Sequence, residues 1–326
     1  MLSTKLLQLN FSLGRRMFQS SCQSRGHLIL RLKPHRHLSP VTIRRAVSPL
    51  GGVSSVRYSS SGKYDKSYKQ FDPRAFMEMR CPGTEFETVD KRIQSQWKLT
   101  KLHDFYKDFH MEWDTANAKF LEFAAGPYLH TLISAAPHVG EIYHSDYLPA
   151  CRDEVLMWMR KDPNAYNWDP YFKYVVNTLE GQDGEDAVLK RQEVLRSKFK
   201  GSLYLDMKSD NMLPDHNGKF DVIFSGYCIE YLSSSLEEYK TFIKKVYSLL
   251  NPNGYFVMLA SMGATEYYVD DLIYPCYPLR INEVLTTLEE IGFTTWFSEI
   301  VRIKREEGIE YPSDQVWNSC YVAQKS

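Results

Sequence analysis

The chain of 326 residues is 43% apolar and 25% charged, which is ordinary globular composition and allows one large domain with appendages. Its formal net charge is zero, but residues 1–63 contain eleven Lys or Arg and no acidic residue, which leaves 29 basic against 40 acidic residues in the remainder. The acidic remainder argues against general nucleic-acid binding, and the lack of any apolar run approaching about 18 residues argues against a membrane-spanning segment.

The first 64 residues have the features of a mitochondrial transit peptide. The segment is rich in Ser and Arg, and its leucines lie along one side of a helix: Leu2, Leu6, Leu9 and Leu13. A positive amphipathic helix suits import receptors, and Arg57 is a candidate processing site. We therefore expect a disordered leader over residues 1–64, a folded domain over residues 65–326, and a location in the mitochondrial matrix. A basic tail on a cytoplasmic protein is the alternative.

The folded part begins with two predicted helices, after which strands and helices alternate. In YKQFDPRAFMEM, Asp72 is placed to cap a helix that starts at Pro73, and residues 91–109 follow as a second helix. The predicted strands are AKFLEFA, EIYHSD, residues 173–179, GSLYLD, FDVIFSGY, YFVMLAS, TTWFSEIVRI and VWNSCYVAQK. The predicted helices between them are LHTLISAA, CRDEVLMWMRKD, GEDAVLKRQEVLRSKFK, LEEYKTFIKKVYSLL and INEVLTTLEEIG.

This alternation predicts a doubly wound α/β fold, in which a mostly parallel sheet has helices on both faces. The last two strands have no helix between them, so we expect them to form an antiparallel hairpin. Six scattered cysteines without a CxxC pair predict neither a metal site nor a disulfide framework, and they fit a reducing compartment.

The segment LEFAAGPYLH resembles a nucleotide-binding glycine loop that has lost some of its glycines. In an open α/β sheet the ligand lies beyond the carboxyl ends of the strands, where the backbone must approach it closely. Only Gly126 remains here, preceded by Ala124 and Ala125 and followed by Pro127. A plain turn between a strand and a helix is the alternative interpretation.

Three acidic residues end predicted strands and favour a ligand with ribose and positive charge. They are Glu122, Asp146 and Asp206, and Asp146 is placed to accept both ribose hydroxyls. A dinucleotide would need a GxGxxG loop for its pyrophosphate, and that loop is absent. S-adenosylmethionine carries a sulfonium and an ammonium group and suits an acidic site better. For a single Asp at the end of a strand, a helix N-cap is the alternative.

A resemblance to a known family is carried by the stretches YKQFDPRAF, EFAAGP, SDYLPACRDEVLMWMRKDPNAYNW, LDM and SGYCIEYLSSSLEEYKTFIKKVYSLLNPNG. They resemble the small-amine methyltransferases, which include the nicotinamide, phenylethanolamine and indolethylamine N-methyltransferases, and the likeness runs from about Tyr64 to the C-terminus. The resemblance implies a Rossmann-like class I methyltransferase fold with an N-terminal helical lid. It also implies S-adenosylmethionine as cofactor and a small amine or N-heterocycle as the methyl acceptor.

The resemblance further implies cofactor contacts at Tyr68, Phe76, Glu122, Gly126, Pro127, Asp146, Tyr147, Cys151, Asp206 and Met207. The glycine loop would hold the methionine end, Asp146 the ribose, and the last two residues the adenine. The sequence departs from the family pattern in this region. Ala124 and Ala125 replace a Gly and a Ser, Cys151 replaces an Asn of the nicotinamide enzyme, and Phe76 lacks the hydroxyl of a lid Tyr.

On the acceptor side, Glu230 in SGYCIEYL is the candidate catalytic residue. A carboxylate there can orient the N–H of the acceptor and stabilise the cation that develops; a surface Glu or a Glu at the start of a helix is the alternative. Residues expected to line the acceptor pocket are Glu266, Tyr267 and Tyr268. Where the nicotinamide enzyme has an Asp, this chain has Ala260 or Ser261, which argues against nicotinamide.

The predicted function is methyl transfer from S-adenosylmethionine to the nitrogen of a small amine or N-heterocycle, with S-adenosylhomocysteine as the second product. A non-catalytic methyltransferase-fold protein that binds partners is the alternative from another class, and a dinucleotide-dependent oxidoreductase is a third. An O- or S-acceptor also stays open, because the fold does not fix the nucleophile. The sequence determines neither the acceptor nor the oligomeric state.

Overall fold

The computed structural model describes residues 27–31, 71–81, 89–269, 272–302 and 317–326. Its strands are β1 (His27–Arg31), β2 (Lys119–Glu122), β3 (Glu141–Asp146), β4 (Phe199–Tyr204), β5 (Phe220–Gly226), β6 (Leu250–Met262), β7 (Glu266–Val269), β8 (Leu272–Pro275), β9 (Phe293–Arg302) and β10 (Trp317–Lys325). Its α-helices are Pro73–Arg80, Val89–Phe109, Leu132–Ala135, Pro149–Met159, Asp169–Lys173, Glu185–Lys198, Ile229–Leu232, Leu236–Leu249 and Ile281–Ile291. A 3-10 turn follows at His110–Glu112, and a π-helical segment at Tyr174–Leu179.

The main sheet has the strand order β1-β9-β10-β6-β5-β2-β3-β4, and β7 pairs with β8 in a separate antiparallel ribbon. Pairing is parallel from β4 through β3, β2 and β5 to β6, and antiparallel where β10 joins β6 and β9. The chain adds β3 and β4 on one side of β2 and then β5 and β6 on the other. The carboxyl ends of β2 and β5 therefore border the crevice where ligands bind in doubly wound folds. The predicted fold class is confirmed.

Both faces of the sheet are buried, as the parallel strands require. Successive residues of a strand point to opposite faces, so Phe120 packs into one apolar cluster and Leu121 into the other. The same alternation continues at Val257 and Phe256 on β6. Among the described helices, none is both long and apolar enough to span a membrane.

β1 pairs with β9 in antiparallel register, His27 opposite Val301 and Arg31 opposite Phe297. This strand lies within the segment 1–64, for which the sequence predicts a disordered leader. The neighbouring residues 1–26 and 32–64 fall outside the described part of the chain, so the division into a leader and a folded domain stays a prediction.

The strand predicted over residues 173–179 is wrong, because this segment is helical. Tyr171, Phe172, Val175 and Val176 are all buried, and their spacing of one, four and five residues matches one face of a helix. A short β-branched run does not by itself distinguish a buried strand from a buried helix. The helix predicted for LHTLISAA is present but shorter, and it covers only Leu132–Ala135.

The two N-terminal helices are positioned over the sheet by polar contacts. Asp72 caps the first, since its Oδ1 accepts the N–H groups of Arg74 at 2.9 Å and Ala75 at 3.1 Å. The guanidinium of Arg74 donates to both carboxylate oxygens of Glu154, at 2.7 and 3.3 Å, which ties this helix to Pro149–Met159. The predicted cap and helix start are confirmed.

The long helix Val89–Phe109 is fixed to β9 by a buried carboxylate. Glu299 accepts hydrogen bonds from Trp97 Nε1 at 3.2 Å and from Lys101 Nζ at 3.0 Å. Leu99 and Leu102 on this helix are buried in the core. These anchors flank Lys98 on the helix and fix the direction in which it projects.

Replacement of Gly140 by Ala should destabilise the fold strongly. An added Cβ would lie 2.0 Å from the backbone oxygen of Ala116, and relieving this clash would require the backbone to shift, which destabilises the fold. We expect the free energy of unfolding to fall by about 3 kcal/mol or more, measured by urea denaturation. Gly201→Ala is the matched control, because nothing lies within 4 Å of its added Cβ. Equal stability of the two variants would contradict the described loop before β3.

Candidate active site

The loop after β2 keeps the geometry of a glycine loop in spite of its alanines. Gly126 has a φ of +66°, and Ala124 adopts a φ of +52°, also in the left-handed region. The methyl group of Ala124 makes that conformation unfavourable by about 1 kcal/mol. The N–H of Ala125 donates to the carbonyl of Ser145 on β3 at 2.9 Å, which holds the turn against the sheet. The two alanines therefore do not prevent the loop backbone from facing the crevice.

The peptide groups of Gly126 are fixed from two sides. Its N–H donates to Asp146 Oδ2 at 2.8 Å, and its carbonyl lies 2.8 Å from His144 Nε2. The second ring nitrogen of His144, Nδ1, is 2.7 Å from Ser202 Oγ. Burial lowers the pKa of His144 to about 4, so the ring is neutral at neutral pH. Because a carbonyl only accepts, Nε2 carries the proton and Nδ1 accepts from Ser202.

His144 was not predicted as a functional residue, although the sequence contains a signal. It is a polar residue inside the apolar strand EIYHSD, and the structure buries it completely. A buried polar side chain in a strand requires partners, which here are the loop and the neighbouring strand.

Asp146 ends β3 and is nearly buried, with 9% of its surface exposed. Its Oδ1 accepts the N–H of Leu148 at 2.8 Å, so each carboxylate oxygen has one backbone donor and keeps further lone pairs. Burial raises the pKa of Asp146, while these two N–H groups oppose the rise. Cys151 is buried beside it, and burial raises the pKa of its thiol. Tyr147 is half-exposed, with its ring 5.7 Å from that of Tyr204.

The predicted adenine side lies next to Asp146. The N–H of Leu205 donates to the carbonyl of Asp146 at 3.2 Å, which brings the ends of β3 and β4 together. Asp206 is half-buried, and its Oδ1 accepts the N–H of Lys208 at 2.9 Å. Met207 is buried, and its carbonyl accepts from Lys245 Nζ at 2.9 Å.

Glu122 lies at the floor of the loop and is buried. Its Oε1 accepts the hydroxyl hydrogen of Thr131, whereas its Oε2 has no hydrogen-bond partner among the described residues. Burial raises the pKa of Glu122 to about 8, against the opposing effects of Thr131 and of the nearby Lys98. A buried carboxyl group with a raised pKa favours a ligand that brings a positive charge to it.

Lys98 and His130 form a pair beside Glu122 that sequence reasoning missed. Lys98 Nζ lies 2.9 Å from His130 Nε2 and above the rings of Tyr128 and Tyr227, at 5.5 and 5.7 Å from their centroids. Burial lowers the pKa of Lys98 and holds that of His130 well below its usual value. Their positions in the sequence, in a helix and in a loop, did not indicate that they meet.

Glu230 lies across the crevice, directly after β5, and is 2% exposed. Its Oε1 accepts the N–H of Ser261 at 2.7 Å, and within the described part of the chain its Oε2 has no hydrogen-bond partner. Burial raises the pKa of Glu230 to about 7, although the N–H of Ser261 opposes the rise. A surface position for Glu230 is therefore wrong, whereas the alternative of a Glu at the start of a helix agrees with its place in the first turn of Ile229–Leu232.

Buried polar atoms without a partner are concentrated at this end of the sheet. Eight such side-chain atoms occur among the described residues. Four of them lie at or just beyond the carboxyl ends of β2 and β5: Glu122 Oε2, His130 Nδ1, Ser225 Oγ and Glu230 Oε2. Because buried polar groups nearly always have partners, this arrangement indicates a binding site. The free carboxylate oxygens fit the positive groups of S-adenosylmethionine, and Asp146 fits its ribose hydroxyls.

Of the remaining predicted residues, Phe76 lies beside the loop and Tyr267 lies near Ser261. Phe76, on the first helix, has its ring 5.8 Å from that of Tyr128 in the loop. Tyr267 packs against Tyr231 at 4.7 Å, and the Tyr231 hydroxyl donates to Ser261 Oγ at 2.7 Å. Glu266, Tyr267 and Tyr268 lie on β7, whereas Tyr68 lies outside the described residues. Pro127 follows Gly126 in the loop.

The Glu122→Gln substitution should reduce the loss of stability that occurs as pH rises from about 4.5 to 8. Between about pH 4.5 and 8 the carboxyl group is ionised in the unfolded chain but protonated in the folded one, so rising pH favours unfolding until the folded group also ionises. A pKa difference of one is worth about 1.4 kcal/mol. Thermal unfolding from pH 5 to 8.5 should show a smaller decline for the variant than for the natural protein. The exposed Glu237→Gln is the control, and parallel curves for all three proteins would contradict the burial of Glu122.

Comparisons with known proteins identify the family of this chain. A model of the NNMT/PNMT/TEMT family matches residues 61–320. Phenylethanolamine N-methyltransferase of Macaca mulatta is 24% identical over 248 residues, which cover 75% of this chain and 86% of the relative. Indolethylamine N-methyltransferase of Oryctolagus cuniculus is 26% identical over 70% of this chain and 84% of its own. Human nicotinamide N-methyltransferase is 24% identical over 73% and 87%. The chain belongs to the NNMT/PNMT/TEMT family.

Proposed function

We propose that this protein transfers a methyl group from S-adenosylmethionine to the nitrogen of a small amine or N-heterocycle and releases S-adenosylhomocysteine. The observation that carries the proposal is the pair of buried carboxyl groups, Glu122 and Glu230, at the carboxyl ends of β2 and β5. Each has one oxygen fixed by the protein and one that forms no hydrogen bond with the residues the structure describes. The names of the relatives, which are N-methyltransferases, support nitrogen as the methyl acceptor.

The cofactor side of the crevice would be formed by the loop and the ends of β3 and β4. Bound S-adenosylmethionine supplies an electrophilic methyl group on its sulfonium. Gly126 and Pro127 would border its methionine end, and the Asp146 carboxylate would accept the ribose hydroxyls. Asp206 and Met207 would flank the adenine, with Tyr147 and Cys151 beside them. The residues of the first helix, Phe76 among them, would cover the site.

The acceptor would lie near Glu230. Direct displacement at a sulfonium methyl requires mainly that the nucleophile is held close and in line. The N–H of Ser261 fixes one oxygen of Glu230, so the other can accept an N–H of the acceptor and orient its lone pair. The same carboxylate would stabilise the positive charge that develops on nitrogen. The rings of Tyr231 and Tyr267 offer faces for a cationic product.

A catalytically inactive, partner-binding role finds no support. An inactive descendant would have no reason to keep two carboxyl groups buried without full partners, because such groups destabilise a fold. In an active enzyme, the same groups would stabilise the positive charge that the substrates bring and that the reaction develops.

We further propose that residues 1–64 direct the protein to the mitochondrial matrix. The support is the basic, Ser-rich and acid-free composition of this segment. A fusion of residues 1–64 to a fluorescent reporter should colocalise with a mitochondrial marker in cells. The same fusion with its eleven Lys and Arg replaced by Gln should remain cytosolic. A cytosolic natural fusion would refute the proposal.

The Asp146→Ala variant should bind S-adenosylmethionine roughly 10- to 150-fold more weakly. This corresponds to about 1.5–3 kcal/mol for lost hydrogen bonds to a charged acceptor, and the loop at Gly126 also loses its brace. Calorimetric titration of the full-length protein gives the dissociation constants. Asp153→Ala, at an exposed position on the following helix, is the control. An unchanged affinity for the Asp146 variant would remove this residue from the cofactor site.

The Glu230→Gln variant should lose about 100-fold or more in turnover, the usual scale for a group that stabilises developing charge, while its affinity for the cofactor stays close to normal. Small amines and pyridines would first be screened with labelled S-adenosylmethionine to find an acceptor. Turnover and cofactor affinity would then be measured for this variant and for the exposed control Glu237→Gln. Equal turnover in all three proteins would exclude Glu230 from the mechanism.

A further inference from the structure

Glu230 lies in a helix of about one turn, Ile229–Leu232, which depends on contacts outside itself. A helix this short is not stable alone, because its few internal hydrogen bonds do not compensate for ordering the chain. Ile229 is buried in the apolar core, and the hydroxyl of Ser233 donates to the carbonyl of Ile229 at 2.7 Å. These contacts hold the backbone of the helix. The direction in which the Glu230 carboxylate points depends further on contacts with β6.

Ser261, near the carboxyl end of β6, forms hydrogen bonds with two consecutive residues of this helix. Its N–H donates to Glu230 Oε1 at 2.7 Å, and its hydroxyl oxygen accepts from the Tyr231 hydroxyl at 2.7 Å. Ser261 is 1% exposed and pairs with Asn318 of β10, so its position is set by the sheet. Consecutive residues of an α-helix point about 100° apart. The two bonds together therefore fix the rotation of the helix relative to β6.

The ring of Tyr231 connects this arrangement to the acceptor side of the crevice. Tyr231 is half-buried, and its ring centroid lies 4.7 Å from that of Tyr267 on β7. The side chain thus contacts, at its ring, the ribbon expected to line the acceptor pocket and, at its hydroxyl, the residue that holds Glu230. Replacement by Phe would remove the hydroxyl alone and leave the ring in place.

We propose that Tyr231 is a positioning residue for methyl transfer, whose hydroxyl acts through Ser261 to direct Glu230 Oε2 at the acceptor nitrogen. That oxygen has no hydrogen-bond partner among the described residues, so it is the one that can accept from the substrate. The inference rests on the proposed function, since it names what orients the candidate catalytic carboxylate. Tyr231 and Ser261 are 30 residues apart in the sequence and meet only through the fold.

The test compares Tyr231→Phe and Ser261→Ala with the control Tyr247→Phe, all in the full-length protein. Tyr247 is also half-buried, and its hydroxyl contacts the carbonyl oxygen of Ser326 at 3.3 Å, near the amino end of β6 and thus opposite the crevice. The methyl acceptor is the amine or pyridine selected by the screen with labelled S-adenosylmethionine. The calorimetric stoichiometry of S-adenosylmethionine gives the fraction of competent protein, so that turnover is expressed per competent molecule.

We expect Tyr231→Phe and Ser261→Ala each to lower kcat by about tenfold, because a misdirected carboxylate no longer orients the nucleophile. The dissociation constant of S-adenosylmethionine should stay within about twofold of that of the natural protein, and Tyr247→Phe should leave both quantities unchanged. A double-mutant cycle then tests whether Tyr231 acts through Glu230. In the Glu230→Gln background, adding Tyr231→Phe should lower kcat by no more than about twofold.

The same tenfold loss in the Glu230→Gln background would overturn the proposal, because Tyr231 would then act independently of Glu230. A merely structural role would lower the melting temperature or the competent fraction and leave turnover per competent molecule normal, which would also overturn it. Ser261→Ala gives an independent test should Tyr231→Phe fail to fold, and normal turnover in folded Ser261→Ala would contradict the proposal. Cofactor binding by the natural protein without methyl transfer to any screened amine or pyridine would instead refute the proposed function, and this inference with it.

Discussion

The geometry of the crevice depends on how the peptide of Gly126 is held. Its N–H is bound to Asp146 and its carbonyl to His144, which is fixed in turn by Ser202. Loops of this kind usually owe their shape to the conformational freedom of glycine. Here Ala124 occupies a left-handed position, and hydrogen bonds to Asp146, His144 and Ser145 of β3 keep the loop in place. The loop can therefore lose glycines and still let its backbone approach a ligand, because β3 determines its path.

Burial of charge is the second constraint, and it links the fold to the chemistry. Glu122 and Glu230 lie at the carboxyl ends of the two strands between which the strand order reverses. Burial raises the pKa of Glu122 to about 8 and that of Glu230 to about 7. A positive charge that arrives nearby therefore shifts either group toward its ionised form. A sulfonium, an ammonium and a developing N-methyl cation are all such charges. The ligands that the site receives would therefore offset the destabilising effect of burying these acids.

The sequence was sufficient for the fold class, the N-cap of the first helix, the antiparallel hairpin and the positions of Glu122 and Asp146 at strand ends. These features depend on local patterns, namely periodicity, capping residues and the position of an acid after an apolar run. The failures have physical causes as well. Residues 173–179 have β-branched side chains that suit either a strand or a buried helix, and tertiary packing decided between them. Lys98 and His130 meet only through the fold, so no local pattern could have predicted their contact.

The central claim is that this crevice binds S-adenosylmethionine, and a calorimetric titration of that compound into the full-length protein tests it most directly. The account predicts saturable binding of one molecule per chain, with competition by S-adenosylhomocysteine and no comparable binding of NAD. Absence of binding in a sample that unfolds cooperatively on heating would contradict the account, because the loop, Asp146 and Glu122 would then have no ligand to explain their arrangement.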